Sequence, residues 1–327
     1  MNLLFITDPL DSFNLDKDSS LAMMREAVSR GHVVWDCGTS DLQWQSGQMV
    51  SASMQRLRLK DNTNDWYVVE ETIHQALCQM DAVLMRKDPP FDNEYFYATH
   101  LLTQAEREGA KVFNNPSALR EHPEKLALME FAQWTTPTLV TRSSEAIRAF
   151  HATHQDIILK PLDGMGGMGI FRVRADGLNL GSIIETLNQD GATSVMVQKF
   201  VPAIAQGDKR VLVIGGKPVP YALARIPQGN EVRGNLAAGG KGMAQELSPR
   251  DSEIAQALGP VLAARGLLLV GLDIIGDCLT EVNVTSPTCF REITDQTGFD
   301  VAAMFMNALE HALAQAASSP SAVWPVQ

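Results

Sequence analysis

Short apolar runs alternate with helical spacing through the first third of the chain. Residues 3–6, 33–35, 82–85 and 111–113 are runs of strand type, while Leu21, Met24 and Val28 recur at helical intervals. This alternation predicts a small parallel sheet with helices on its faces. The first helix has a marked start, because Asp18, Ser19 and Ser20 precede its apolar stripe and can satisfy the free N–H groups there. The same N–H groups suit a ligand carboxylate, but capping alone accounts for these residues.

Asn114, Asn115, Pro116 and Ser117 form a turn-and-cap cluster, and Pro123 opens a helix containing Lys125, which places a domain boundary near residue 122. Beyond it the pattern becomes α+β. A helix over 143–154, strands over 157–160 and 171–174, a helix over 180–188 and a strand over 195–199 make a second unit, residues 123–200. A third unit, 201–316, carries strands near 210–214 and 219–224, a helix over 249–265, strands over 267–275 and 279–284, and a last helix from 300 to about 315. Residues 317–327, with two prolines, read as a flexible tail. No internal repeat is present.

The chain has 327 residues, 45% apolar and 20% charged, ordinary globular values that leave room for two or three packed units of an α/β protein. Its net charge of −11 repels a phosphate backbone, so no nucleic-acid partner is expected and any anionic ligand must be held by local cations. Four cysteines form no C-x-x-C pair, and seven histidines form no zinc-like cluster with them, which fits a reducing, cytoplasmic setting. No run approaches the ~20 apolar residues that span a bilayer, and no basic stretch opens the chain. Neither a membrane anchor nor an export signal is expected.

The densest chemical signal is at residues 157–173, where Gly164, Gly166, Gly167 and Gly169 follow a strand that carries Lys160. The dinucleotide fingerprint requires a helix after its glycines, and residues 170–173 alternate like a strand instead. A Walker loop needs its lysine after the glycines, not before them. What remains is a strand, a glycine hairpin and another strand: a flap that can fold over a triphosphate. A plain hairpin turn is the alternative, but a lysine ending an Ile-Ile-Leu run needs an anionic partner to offset its burial.

Downstream, Glu281 and Asn283 lie two apart on a strand and share one face. If the hairpin before them turns through an odd number of residues, such as 276–278, Asp273 stands opposite Glu281 and completes a hard-oxygen set for Mg²⁺. A two-residue loop would put Asp273 on the other face. The alternative is a polar sheet face open to water. Between the two signals, residues 226–242 hold five glycines and no apolar period, and Arg210, Arg225, Arg233 and Lys241 surround or occupy the stretch. A long unstructured loop of this kind suits a lid over anionic substrates.

Together with residues 85–92, these stretches resemble the ATP-grasp superfamily and, within it, the bacterial-type glutathione synthetases, from the first strand to about residue 316. The resemblance implies an ATP-grasp fold of two α+β subdomains behind a small parallel-sheet domain. It also implies a ligase that joins γ-glutamylcysteine to glycine while cleaving ATP to ADP and phosphate, through an acyl phosphate. No enzyme nucleophile is needed, in keeping with the absence of a Ser/His/Asp or Cys/His arrangement; His151 and His154 read as the exposed side of a helix.

Residue by residue, the resemblance implies that Lys125 and Lys160 contact ATP phosphates beneath the flap of Gly164, Gly166 and Gly167. Gln198, Lys199, Phe200 and Val201 form the adenine hinge, largely through backbone groups, and Asp208 meets the ribose. Many superfamily members place a glutamate at the start of that hinge, where this chain has Gln198 and Lys199. Asp273, Glu281 and Asn283 hold Mg²⁺ or Mn²⁺, Arg210 and Arg225 stabilise the transferring group, and Arg233 clamps from the loop. Ser286 and Thr288 serve the acceptor amino acid, while Asp18, Ser19 and Arg86 face the dipeptide. A homo-oligomer, dimer or tetramer, is expected. Three other readings stand beside this one: a carboxylate–amine ligase with another acceptor, a nucleotide-binding regulator without turnover, and, on the glycines alone, a nicotinamide oxidoreductase.

Overall fold

The structure, a computed structural model, describes residues 1–61, 65–229, 231, 233–236 and 239–318. The predicted tail falls, from residue 319 on, outside the described residues. Strand β1 (Asn2–Ile6), helix α1 (Ser19–Ser29) and strand β2 (Val33–Cys37) follow the expected pattern. Asp18 caps α1, its carboxylate accepting the Leu21 N–H at 2.7 Å. Three strands that the apolar runs did not announce come next: β3 (Leu42–Gln43), β4 (Ser51–Leu59) and β5 (Tyr67–Ala76). In β4, Ala52 and Met54 are buried between outward polar residues and Leu57 is buried past an irregularity at residues 56–57, so its signal is a short alternation and not an apolar run. β6 (Ala82–Met85), α2 (Asn93–Arg107), β7 (Val112–Phe113) and α3 (Pro116–Glu121) complete this part. β2, β1, β6 and β7 are parallel neighbours as expected. The sheet does not stop there: β4 joins β2 antiparallel and pairs with β3 and β5, which makes it seven-stranded and mixed.

β8 (Thr138–Thr141), α4 (Ser144–His154), β9 (Ile157–Pro161), β10 (Phe171–Val173), α5 (Leu180–Asn188) and β11 (Val195–Lys199) form a four-stranded antiparallel unit in the order β10-β9-β11-β8. Ile147, Leu159, Ile184 and Val197 are among the residues of its own separate core. His151 departs from the expected exposed position. It is 9% exposed, and its Nε2 donates to Arg174 O at 2.8 Å, because the end of α4 packs onto the turn after β10.

The last third contains β12 (Asp208–Ile214), β13 (Lys217–Ile226), β14 (Lys241–Glu246), α6 (Pro249–Ala264), β15 (Leu269–Ile275), β16 (Cys278–Asn283), α7 (Phe290–Thr297) and α8 (Val301–Ser318). Its five strands are antiparallel in the order β14-β13-β12-β15-β16. This sheet shares two apolar cores with the N-terminal sheet: Leu4 and Tyr95 join Val211 and Leu258 in one, and Leu3 and Leu21 join Leu212 and Phe305 in the other. Asn114, read from the sequence as part of a turn, stitches the two sheets together. Its amide donates to Leu269 O at 2.7 Å and Val284 O at 2.8 Å and accepts from Leu269 N at 3.0 Å, which satisfies the backbone at a buried seam. The helix expected from Pro123 is instead a kinked 3₁₀ segment, Leu126–Trp134, with Lys125 at its cap. Leu128 and Phe131 on that segment pack into the core of the five-stranded sheet, not into that of the four-stranded one.

Candidate active site

The four-stranded and five-stranded sheets line opposite walls of a cleft of about 340 Å³, within the range that small-molecule sites occupy. From the first wall, β9 carries Lys160 between buried Leu159 and the flap. Lys160 is 7% exposed, and its Nζ donates across the cleft to Thr280 O at 3.2 Å. Burial lowers its pKa, and Glu281 pulls it back up. Lys125 sits beside it, with Nζ 2.6 Å from Gly164 O, 3.3 Å from Leu162 O and 3.0 Å from Glu281 Oε1. One ammonium thus joins the base of the glycine turn to the opposite strand. In that turn Gly166, Gly167 and Gly169 have φ of 61°, 83° and 69°, the left-handed region that glycine alone enters without strain.

On the second wall, β15 and β16 pair Gly271 with Asn283, Leu272 with Val282 and Asp273 with Glu281. The expected route to this register is wrong. Ile275 pairs with Cys278, so the turn has two residues, and a bulge at Thr280 restores the facing of Asp273 and Glu281. The bulge is held by Thr280 Oγ1 donating to Asp273 O at 3.1 Å, a local kink of the kind that re-aims side chains at sites. Asp273, 2% exposed, receives Arg210 Nε at 2.5 Å and Arg225 Nη2 at 2.9 Å. Burial by itself would raise Asp273, but the two guanidiniums overrule it and hold the carboxyl below the usual range. Arg225 also reaches Asp208 Oδ2 at 2.5 Å. Burial still pushes Asp208 up to about 6, and its Oδ1 has no hydrogen-bond partner.

Six cations line the cleft among the described residues, Lys125, Lys160, Lys199, Arg210, Arg225 and Arg233, against five carboxylates, Asp88, Glu124, Asp208, Asp273 and Glu281, leaving one net positive charge. Among the described residues no three His, Cys, Asp or Glu side chains stand at metal-ligating spacing. Among the oxygen donors on the cleft wall are the carboxylates of Asp273 and Glu281 and the amide of Asn283. Such a set fits a hard divalent cation that shares its sphere with phosphate oxygens, not one enclosed by protein.

Gln198, Lys199, Phe200 and Val201, expected to form a hinge, all line the cleft. The N–H groups of Lys199 and Phe200 are already spent on Pro137 O and Asp156 O, each at 2.9 Å. Phe200 carries the Arg172 guanidinium 3.5 Å from its ring centroid. Arg233 lines the cleft from the loop after β13, and its Nη1 lies 3.4 Å from Gly167 O, so loop and flap touch. Residues 230, 232, 237 and 238 of that loop lie outside the described residues.

Ser286 and Thr288 also line the cleft. Asp18, Ser19 and Arg86 do not; Asp18 caps α1, while Ser19 and Arg86 brace the cleft wall from behind. Arg86 Nη2 donates to Pro287 O at 3.1 Å, its Nε donates to Ser20 Oγ at 3.0 Å, and Ser19 Oγ accepts the Phe290 N–H at 3.2 Å. Two carboxylates that line the cleft, Asp88 and Glu124, were given no role by the sequence reading. Asp88 accepts a hydrogen bond from Ser286 Oγ. Glu124 Oε1 accepts from Val284 N at 3.0 Å, Thr285 N at 3.2 Å and Thr285 Oγ1 at 2.9 Å. Neither sits in a spacing pattern, since each reaches its partner across more than 150 residues of chain. Their adjacency to Arg86, Lys87 and Lys125 was the only available signal.

Residues 124–298 match the family described as prokaryotic glutathione synthetase, ATP-grasp domain, and residues 1–120 match its N-terminal domain. The chain belongs to the prokaryotic glutathione synthetase family. Glutathione synthetase of Ralstonia nicotianae is 60% identical over 316 residues, 97% of each chain. Those of Bordetella parapertussis and Nitrosomonas europaea are 55% and 54% identical over 317 residues, covering 95% and 96% of this chain and 99% of each relative. Among solved structures, D-cycloserine synthetase DcsG superposes with a TM-score of 0.65 at 16% identity, covering 96% of this chain and 100% of that one. The ATP-grasp ligase PsnB complexed with minimal precursor, Mg and ADP gives 0.60 at 21%, covering 96% and 98%. At such identities the likeness shows the fold, which for this glutathione synthetase family member is ATP-grasp.

Proposed function

We propose that the cleft joins γ-glutamylcysteine to glycine by way of an acyl phosphate, with Lys125, Lys160 and the flap holding the phosphates of ATP. The chain is an ATP-dependent ligase that forms glutathione. The observation that carries the residue-level reading is the convergence of Lys125, the Gly164 carbonyl and Glu281 within 3.0 Å contacts, because it brings the early lysine, the flap and the late oxygen donors to one place.

Charge decides the roles. One net positive charge on the walls does not balance a triphosphate, so a divalent cation, Mg²⁺ or Mn²⁺, completes the neutralisation when held by Asp273, Glu281 and Asn283. Lys125 and Lys160 orient the β- and γ-phosphates. Asp208 meets the ribose, and Gln198, Lys199, Phe200 and Val201 frame the adenine. The carboxylate oxygen of the dipeptide attacks the γ-phosphorus and the bond to ADP breaks. Arg210 and Arg225 are kept charged by Asp273 and Asp208 and steady the oxygens that gain charge. Arg233 and the flap exclude water while the acyl phosphate exists. The glycine amine, seated by Ser286 and Thr288, attacks the acyl carbon, phosphate leaves, and the new amide nitrogen sheds a proton.

Residues 1–122, 123–200 and 201–316 serve as three units: a substrate domain, a lid subdomain and a metal-bearing subdomain. We place the enzyme in the cytoplasm as a homo-oligomer. Its four cysteines are free, and no helix among the described residues is long and apolar enough to cross a membrane. Purified protein should release ADP with ATP, Mg²⁺, γ-glutamylcysteine and glycine together. Release that does not depend on glycine would remove the assigned acceptor.

A further inference from the structure

Three strands of the four-stranded sheet bring distant residues together beside the cleft. β9 and β11 are antiparallel, with Ile157 paired to Lys199, so Asp156, just before β9, lies next to Phe200, just after β11. On the other side of β9, Arg172 of β10 pairs with Ile158. Asp156 serves both neighbours. Its carbonyl accepts the Phe200 N–H at 2.9 Å, and its carboxylate takes Arg172 in a two-pronged grip, Nε at 2.9 Å and Nη2 at 2.6 Å. So aimed, the guanidinium carbon lies 3.5 Å from the centroid of the Phe200 ring and covers one of its faces. Phe200 lines the cleft and Arg172 does not, so any effect of this cation on a ligand there passes through the ring.

Few donors in this stretch remain for a base. The N–H groups of Lys199 and Phe200 are engaged by Pro137 O and Asp156 O, and Gln198 Nε2 donates to Thr138 Oγ1 at 3.0 Å. The lining beside them includes the apolar Ile158, Val201, Ile204 and Ile275. A flat heteroaromatic group in such surroundings is held mainly by surface contact, and an aromatic ring contributes most when its plane is fixed before the ligand arrives.

Resting on the placement of adenine at residues 198–201, we propose that Arg172 and Asp156 are positioning residues for the nucleotide: they clamp the Phe200 ring from behind, so that its other face stacks on the base. Neither touches ATP. Arg172 is held by a carboxylate and a ring at once, a task for a planar fork that a lysine ammonium does not match. The two side chains are 24% and 35% exposed, so replacing them loosens the ring without opening a core.

The test measures initial rates of ADP release with ATP varied at saturating Mg²⁺, γ-glutamylcysteine and glycine. Arg172→Gln should raise the KM for ATP about 3- to 10-fold, as for a lost cation–π contact, with kcat and both amino-substrate KM values within about twofold of wild type. Arg172→Lys should recover only part of the loss. Asp156→Asn keeps both the carbonyl and the guanidinium; it should move the KM for ATP in the same direction, and it carries the test if Arg172→Gln does not fold. Phe200→Leu should raise that KM too, and adding Arg172→Gln to it should change the value by less than about twofold more, since the ring through which the arginine acts is gone. An unchanged KM for ATP in Arg172→Gln or Asp156→Asn, an equal fold-rise with and without Phe200, or kcat and the amino-substrate KM values moving in step each overturn the positioning role. Phe200→Leu with the wild-type KM for ATP overturns instead the placement of adenine on which it rests.

Discussion

Replacing Asp273 with Asn isolates the charge cluster at the centre of the cleft. The wild-type carboxylate is buried, with Arg210 Nε at 2.5 Å, Arg210 Nη2 at 3.1 Å and Arg225 Nη2 at 2.9 Å. In Asp273→Asn, Arg225 keeps Asp208, but Arg210 faces no other carboxylate at ion-pair distance among the described residues. A buried guanidinium left without its partner costs about 3–5 kcal/mol. That is a large share of the ~5–15 kcal/mol typical of a folded protein, yet it leaves the chain folded at room temperature. At about 2–4 °C per kcal/mol for a large domain, the transition that includes the five-stranded sheet should fall by roughly 10 °C. Calorimetry in chelator is the assay, because the separate core of the four-stranded unit makes more than one transition expected and chelation removes any cation's contribution. Adding Arg210→Met should restore part of the loss. The guanidiniums hold the Asp273 carboxyl below the usual range, so its contribution is present above ordinary carboxylate pKa values and is lost only as the pH falls through the lower, folded value. The deficit should therefore be constant from about pH 7 to about pH 8 and shrink in acid, beginning as Asp208, which Asp273 helps to hold up at about 6, takes its proton. A transition within about 2 °C of wild type would refute the reasoning.

Glu281→Gln should leave the fold intact, since Lys125 keeps the Gly164 and Leu162 carbonyls, yet lower kcat by about 100-fold or more as the cation and phosphate charges go unbalanced; near-normal turnover contradicts the role. Limited trypsin should cut at Arg233 or Lys241 in the free protein and more slowly with ATP and dipeptide bound, because Arg233 meets the flap at Gly167; equal rates count against closure. Asp36, buried at the end of β2, is pushed up to about 7 by burial although Thr7 donates to it. A raised folded value means that its stabilising contribution is full in acid and is lost as the pH climbs from about 4 to about 7. Asp36→Asn should flatten that slope in urea midpoints and gain a few kcal/mol over wild type near pH 8; parallel slopes for the two proteins would sink the assignment.

Periodicity and punctuation, both local, made much of this protein legible. The boundaries of α5 and β11 coincide with what apolar spacing predicts, and Asp18, Asn115 and Ser143 cap helices as their types suggest. Four glycines after Lys160, and Glu281 and Asn283 at strand spacing, marked both walls of the cleft for the same reason. Tertiary structure alone decided what depends on pairing and on distant charge. The polar alternation of β4 became a strand only against β2 and β5. The facing of Asp273 and Glu281 came from a bulge at Thr280, which no side-chain pattern encodes because register is a property of two strands together. The division of acids into paired and unpaired ones was equally invisible along the chain: Lys125 finds Glu281, and Asp88 finds Ser286, across stretches too long for any periodicity to connect. Sequence chose the chemical groups and the elements that carry them; packing chose which charge each would meet.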